Sequence, residues 1–202
     1  KTREILLADT LDIESALHLR HWTRQYKSER KALEEALPSA HRMTNNAGRL
    51  AVAYWALDRV DAALEHADKE AKDPLCVLIR GIIAEEAGKC DEALKDYQKA
   101  AELAPSSPPC VLRQLSAMRK LGQTDEALAL IEKLRKEFSD KADLAYYEGR
   151  CYEDRLEHQK ALDCYERAMA INARHAEAIY HAARLCDQRS EEHTSELQSL
   201  LI

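Results

Sequence analysis

The feature that most constrains this chain is a spacing of 34 residues at which small and large apolar side chains recur without insertion. Small or aliphatic residues open each copy, at Gly81, Leu115 and Gly149, and an alanine follows at Ala93, Ala127 and Ala161. A large apolar residue comes next, at Tyr97, Ile131 and Tyr165. A short motif keeps the same phase, as DEAL at 91–94, DEAL at 125–128 and QKAL at 159–162. Such a period indicates stacked units that bury their apolar faces against one another.

The residues between these positions predict helices joined by tight turns. The 202 residues include only five Gly and five Pro, and the common residues are strong helix formers. Gly88 and Gly122 stand where a first helix has to end, which predicts left-handed C-caps. Asp91 and Asp125 follow as N-caps or first-turn acids of a second helix. Leu156 replaces the glycine in the third copy, so we expect a less regular turn there.

This register resembles the tetratricopeptide repeat, a helix pair with a period of about 34 residues. The resemblance implies an all-α fold, a right-handed solenoid of antiparallel helix–turn–helix repeats with a concave groove. The array spans 44–188, and we place its repeats at 44–73, 74–107, 108–141 and 142–175, with the first helix of another repeat at 176–188. Residues 1–43 are interpreted as N-terminal helices, with a degenerate repeat as one interpretation.

The last stretch of the chain has a different origin in this interpretation. Residues 189–199 read RSEEHTSELQS, which matches the translation of a common sequencing-adapter DNA at every codon. We therefore expect residues 189–202 to be a non-native tail and exclude them from reasoning about the fold. On this interpretation the natural polypeptide continues differently after Gln188.

Charge and cysteine usage exclude several classes of partner. The net charge of −6 offers no basic surface for nucleic acid or an anionic membrane. No apolar run approaches the roughly 20 residues that span a bilayer, so we expect no membrane insertion. The six cysteines form no CxxC pair, and they are Cys76, Cys90, Cys110, Cys151, Cys164 and Cys186. We expect buried free thiols in a reducing compartment, hence a cytoplasmic protein without a metal site.

No catalytic motif occurs in the sequence. A glycine-rich phosphate loop, GxSxG and HExxH are all missing, which predicts neither an enzyme nor a cofactor. Three histidines and two acidic pairs remain as candidates for chemistry, and they are His158, His175, His181, Glu85–Glu86 and Glu153–Asp154. We interpret the histidines as solvated or partly packed and the acids as solvated groups near helix ends.

The resemblance also predicts a binding face, because it assigns the first helix of each repeat to the concave groove. Helical spacing places twelve candidate contact residues there, and they are Leu78, Ile82, Leu112, Arg113, Ser116, Arg119, Tyr146, Tyr147, Arg150, Tyr180, His181 and Arg184. A Tyr/Arg stripe beside an aliphatic patch suits an extended or helical peptide with acidic and apolar side chains. The same side chains could instead pack on the neighbouring repeat or pair with nearby acids.

Three functional hypotheses follow. The first is a scaffold that binds a protein or peptide partner, whose identity the sequence does not give, in the concave groove. The alternative is a regulatory or substrate-recruiting repeat region of a larger enzyme or sensor, which a full gene of repeats alone would exclude. The third is a metal- or redox-responsive module that uses the cysteines, which six unreactive thiols would exclude.

Overall fold

A computed structural model of the chain describes residues 1–8, 11–44, 46–136 and 141–200, with side chains described as far as Gln188. Over these residues the chain has twelve helices and no strand, so the expected all-α class is confirmed. The first six helices are α1 (Thr2–Leu6), α2 (Ile13–Gln25), α3 (Lys27–Ala40), α4 (Ala47–Ala56), α5 (Val60–Ala67) and α6 (Pro74–Glu86). The others are α7 (Cys90–Leu103), α8 (Pro108–Lys120), α9 (Thr124–Leu134), α10 (Lys141–Asp154), α11 (His158–Ile171) and α12 (Ala176–Leu200).

The helices group into two compact units. Unit 1 is Lys1–Ala117 and unit 2 is Met118–Ile202, so the boundary falls inside α8. In unit 1, consecutive helices pack as the pairs α2 with α3, α4 with α5 and α6 with α7, while α4 and α5 also contact α6. In unit 2, α10 packs against α9 and α11, and α11 packs against α12.

Four helix pairs are joined by the same left-handed turn. Asp58, Gly88, Gly122 and Leu156 all have positive φ, between 60° and 77°. Each donates its N–H to the carbonyl three residues earlier, and the next residue donates to the carbonyl five residues earlier, at 2.9–3.0 Å in every case. This is the Schellman pattern. The C-caps predicted at Gly88 and Gly122 are confirmed, whereas the less regular turn predicted at Leu156 is wrong.

The second helices bury a repeated face. In α7 the buried residues are Ala93, Leu94, Tyr97 and Ala100, and in α11 the residues 68 positions later are buried as well. This spacing places one apolar stripe along each helix. Asp91 and Asp125 lie in the first turns of α7 and α9, so the N-cap alternative for them is wrong.

Glycines in the first helices let the second helices approach closely. A Cβ atom added at Gly81 would lie 2.8 Å from the Tyr97 ring, and one added at Gly149 would lie 2.6 Å from the Tyr165 ring. Both tyrosines are fully buried. Because real Cβ atoms do not approach a ring so closely, these positions admit only glycine without movement of the tyrosine.

None of the helices in the described part of the chain is long and apolar enough to cross a membrane. The last helix, α12, continues to Leu200 and therefore includes most of the expected non-native tail. Residues 201 and 202 of that tail, and the side chains from residue 189 onward, lie outside the described residues.

Candidate partner-binding site

Seven of the twelve candidate contact residues belong to unit 2. Helical spacing brings them together, because Tyr146 and Arg150 are one turn apart on α10, as are Tyr180 and Arg184 on α12. Hydrogen bonds link α10 to α12 through a group of six side chains, which we call the Glu153 cluster. Its members are Tyr146, Arg150, Glu153, Tyr165, His181 and Arg184.

Neutral groups hold the guanidinium of Arg150. Its Nη1 donates to Tyr146 Oη and to His181 Nε2, at 3.0 Å each, and its centre lies 6.0 Å from the Tyr146 ring. The carboxylate of Glu153 stands further away, with Oε2 at 3.9 Å from Arg150 Nε. The Arg150 side chain is only 19% exposed. The cluster therefore fixes the direction of this cation through neutral hydrogen-bond partners, while Glu153 contributes an ion pair without a hydrogen bond.

His181 is held as a neutral imidazole. Since Arg150 can only donate, His181 Nε2 must accept from it. The proton of the ring then lies on Nδ1, which donates to Glu153 Oε2 at 3.2 Å. Burial, followed by the charges of Arg150 and Arg119, lowers the pKa of His181 below its usual value. Expectation and structure agree that His181 is partly packed, with 11% of its side chain exposed.

Glu153, which helical spacing also places on this face, is the centre of the cluster. It accepts from Tyr165 Oη at 2.6 Å, pairs with Arg184 and is 11% exposed. The interpretation of Glu153 and Glu85 as solvated acids is therefore wrong, since Glu85 likewise accepts from the buried Tyr97 at 2.5 Å. Burial raises the pKa of both tyrosines. The recurrence of a Glu twelve residues before a Tyr, two periods apart, was the signal available in the sequence.

The other candidates of unit 2 surround this cluster. Arg119 Nη1 donates to both carboxylate oxygens of Asp154 at 2.9 Å. Tyr147 packs edge-on against Tyr146, with ring centroids 5.2 Å apart. Tyr180 is 64% exposed and packs edge-on against the His181 ring at 5.3 Å. The exposed ring of Tyr180 thus lies beside a buried, ordered polar network.

The five candidates in unit 1 have a different environment. Leu78 and Ile82 are 0% and 1% exposed, so the aliphatic patch predicted at these two positions is wrong. Helical spacing gave their face correctly but not the depth to which neighbouring helices cover it. Leu112 and Ser116 are half-buried. Arg113 Nη1 pairs with Glu85 Oε2 at 3.1 Å and keeps 37% of its side chain exposed.

His175 is a structural residue. It is buried, contrary to the interpretation of it as solvated or partly packed. Its Nδ1 accepts from the Ala178 N–H at 3.2 Å, and its Nε2 lies 2.6 Å from Asp143 Oδ1. The ring therefore satisfies a free N–H at the start of α12 and ties that helix to α10. His158 is exposed, as expected.

The cysteines are unsuited to thiolate chemistry at four positions. Cys76, Cys110, Cys151 and Cys164 are buried, as expected. Burial raises the pKa of Cys76 and of Cys151 to about 12, and that of Cys164 to about 11. Cys186 is exposed, so the expectation of burial is wrong there. No group of three or more His, Cys, Asp or Glu in the described ranges could hold a metal ion.

Comparison with known proteins identifies the repeat and the fold. Residues 116–141 match the family model of the tetratricopeptide repeat. TTC0263, a thermophilic TPR protein of Thermus thermophilus, is similar with TM-score 0.66 and 16% identity over 92% of this chain and 99% of that one. YrrB, a TPR protein with an unusual peptide-binding site, is similar with TM-score 0.55 and 20% identity over 89% and 98%.

MamA is similar as well, with TM-score 0.54 and 16% identity over 72% of this chain and 97% of that one. At these identities the likeness shows the fold. Curated protein sequences give no match. The resemblance to tetratricopeptide repeats, and with it the solenoid class of fold, is confirmed.

Proposed function

Since this chain has the tetratricopeptide-repeat fold, we propose that it is a non-catalytic scaffold that binds a protein or peptide partner. The proposed contact surface is the face of α10 and α12 that carries Tyr146, Arg150, Tyr180, His181 and Arg184. Family resemblance assigns this face to the concave groove. The peptide-binding site of YrrB, a protein of similar fold, supports a peptide as the class of ligand.

The orientation of Arg150 is the observation that carries the proposal. Its guanidinium is positioned by Tyr146 and His181 and makes no hydrogen bond to a carboxylate among the described residues, since Glu153 Oε2 lies 3.9 Å from Nε. A carboxylate from a partner can supply the charge-assisted hydrogen bonds that Glu153 does not make to this guanidinium. The exposed ring of Tyr180 offers an apolar contact nearby, and Tyr and Arg dominate binding hot spots. The partner proposed is therefore a peptide that carries an acidic residue close to an apolar one.

The preferred ligand of this face can be selected from a displayed library of random peptides. Selected peptides should be enriched in Asp or Glu next to aromatic or aliphatic residues. Their affinity should fall about tenfold or more in Arg150→Ala and in Tyr146→Ala, since each removes a hot-spot side chain. Fluorescence anisotropy with labelled peptides and the full chain measures the change.

A matched control comes from the same unit. Arg174 is exposed, and its side chain makes no hydrogen bond or ion pair among the described residues, so Arg174→Ala should leave peptide affinity unchanged. Helical circular dichroism establishes that each variant is folded. Selected peptides that bind Arg150→Ala and Tyr146→Ala as tightly as the parent chain would refute the assignment of this face.

A further inference from the structure

His181 is the member of the Glu153 cluster that can change its charge near neutral pH. Free imidazole takes up a proton at about pH 6.5, whereas carboxylic acids do so near about pH 4, and tyrosine and arginine stay protonated up to about pH 10. Each ring nitrogen of His181 makes one hydrogen bond to α10, to Arg150 through Nε2 and to Glu153 through Nδ1. A proton taken up by this ring therefore changes the contacts of the face proposed above.

The two hydrogen bonds determine where a second proton binds. Nδ1 already carries the proton that Glu153 Oε2 accepts at 3.2 Å, so the free position is Nε2. In the neutral ring, Nε2 accepts from Arg150 Nη1 at 3.0 Å. Once Nε2 is protonated, two donors and two positive charges face each other, and this hydrogen bond is lost. A carboxylate that lies between the two groups can accept a charge-assisted hydrogen bond from each of them.

Within the described part of the chain, the charges around His181 are balanced while its ring is neutral. Charged side chains from three helices contact the ring, act on it through their charge or pair with those that do, and they are Arg119 of α8, Arg150, Glu153 and Asp154 of α10, and Glu177 and Arg184 of α12. Neutral tyrosine rings complete these surroundings, and they are Tyr146, Tyr165 and Tyr180.

A second proton on His181 disturbs this balance. The three arginines are matched by three carboxylates, so the proton adds one unmatched positive charge. Glu153 does not match it, because it already accepts from Tyr165 and from Nδ1 and pairs with Arg184. Burial, followed by the charge of Arg150, accordingly lowers the pKa of His181. The protonated ring therefore needs an anion from outside the cluster.

We infer that a partner carboxylate and a proton bind this face together, with the carboxylate accepting one hydrogen bond from Arg150 and one from the Nε2–H of His181. The inference rests on the proposed function, because it assigns the regulation of the same face. The bound carboxylate supplies the negative charge that the protonated ring lacks, so each binding event favours the other. The affinity of the face for an acidic peptide therefore increases as pH falls.

The range of this effect follows from the two states of His181. Its pKa is lowered in the free chain, and a carboxylate bound at hydrogen-bond distance raises it again. Affinity is constant above the raised pKa and increases as pH falls from the raised to the lowered value. Carboxylates of a partner stay largely ionised down to about pH 5. We therefore expect the affinity to be about threefold or more higher at about pH 5.5 than at about pH 7.5.

The small acid 3-phenylpropionate tests this inference on the full chain, because it joins a carboxylate to an apolar ring. Its amide, 3-phenylpropionamide, is the matched control without charge. NMR titration of the His181 Cε1–H signal at constant ionic strength gives both the Kd of the probe and the pKa of the ring. The acid should bind more tightly at the lower pH and raise the pKa of His181, whereas the amide should do neither.

Two histidine variants separate this ring from the general effect of net charge. His181→Gln keeps a donor and an acceptor but takes up no proton, so its affinity for 3-phenylpropionate should be equal at the two pH values. His158→Gln removes an exposed histidine of the same unit and should retain the pH dependence of the parent chain. The pKa measured on the parent chain keeps the test valid if His181→Gln fails to fold.

The outcomes distinguish this inference from the proposed function. If 3-phenylpropionate binds and is lost in Arg150→Ala, but its Kd is the same at both pH values or the pKa of His181 does not move, this inference alone is overturned. If the acid does not bind at either pH, or binds Arg150→Ala as tightly as the parent chain, the proposed face is overturned as well.

Discussion

Leu156 shows how a single backbone requirement can override residue preference. It adopts φ of 60° in a turn whose two hydrogen bonds match those at Gly88 and Gly122. A left-handed conformation costs a residue with a side chain about 1–2 kcal/mol, which glycine avoids. The side chain of Leu156 is 75% exposed, so its packing stabilises the fold little. The turn between α10 and α11 is thus strained at a position where its glycine equivalents are not.

Leu156→Gly should therefore stabilise the chain. We expect the free energy of unfolding to rise by about 1 kcal/mol, because the gain in the turn exceeds the greater flexibility of glycine in the unfolded state. Urea denaturation followed by circular dichroism measures the change. The reciprocal variant Gly122→Ala should lose a similar amount. A lower midpoint for Leu156→Gly would contradict the strain at this turn.

The partly buried His181 makes the free energy of unfolding depend on pH. Its pKa is lowered in the folded state by burial and by Arg150, so the unfolded state takes up the proton first as pH falls. The stabilisation is complete above the usual imidazole pKa of about 6.5 and declines from there down to the lowered folded value. The free energy of unfolding should thus decrease as pH falls below about 7. His181→Gln should show a shallower decrease with falling pH. If its free energy of unfolding fell as steeply as that of the parent chain, His181 would be excluded as a source of the pH dependence.

At the residue scale, the sequence predicted backbone conformations better than the burial and partners of side chains. Gly88 and Gly122 could be assigned because only glycine enters left-handed turns easily. Leu156 could not, since its φ is imposed by the helices on either side of it. The roles of Glu153 and Leu78 depend on how deeply other helices cover them, which the spacing within one helix does not determine.

Two ion triads of opposite sign link neighbouring helices, and their central residues are two periods of the repeat apart. In unit 1, Arg80 of α6 lies between Asp68, at the end of α5, and Asp96 of α7. Two periods later, in unit 2, Glu148 of α10 lies between two arginines. It accepts from Arg135, at the end of α9, at 2.8 Å and from Arg167 of α11 at 2.9 Å. Each triad joins three consecutive helices, and every charge of the first is reversed in the second.

Glu148→Gln should weaken the triad of unit 2. Only 10% of the Glu148 side chain is exposed, but its arginine partners are about 40% exposed and can be rehydrated. We expect a loss of about 1 kcal/mol, smaller at high salt. Glu132→Gln is the matched control, because Glu132 also pairs with Arg135 at 3.0 Å but is 73% exposed. Equal unfolding midpoints for both variants would show that burial of Glu148 adds nothing.

At the element scale, the period of 34 predicted where helices begin and end because small, apolar and turn residues repeat along the chain. It gave no hint of the triads. The sequence positions 80, 114 and 148 hold Arg, Gln and Glu, which read as unrelated surface residues. Their structural roles depend on the charged residues of the second helices that flank them. These neighbours are known only once the helices have packed in the folded chain.

For the whole molecule, the net charge passes through zero in a pH range that is set by the histidines. The chain carries −6 with eight neutral histidines. Protonation of six of them cancels the charge, and free imidazoles titrate near pH 6.5. Solubility should therefore be lowest near about pH 6, because proteins without net charge associate more readily. Light scattering across pH at constant ionic strength measures this, and a constant signal between about pH 8 and pH 5 would contradict it.

The tryptophans of this chain are confined to one of its two units, so intrinsic fluorescence can follow that unit without any mutation. Both tryptophans, Trp22 and Trp55, belong to unit 1, whereas unit 2 contains tyrosine but no tryptophan. Indole emission therefore reports the unfolding of unit 1, while far-ultraviolet circular dichroism reports the helices of both units. Coincident curves from the two signals would mean one cooperative transition, and separate curves would give each unit its own stability. The placement of two indoles thus makes the cooperativity of unfolding directly measurable in the unmodified chain.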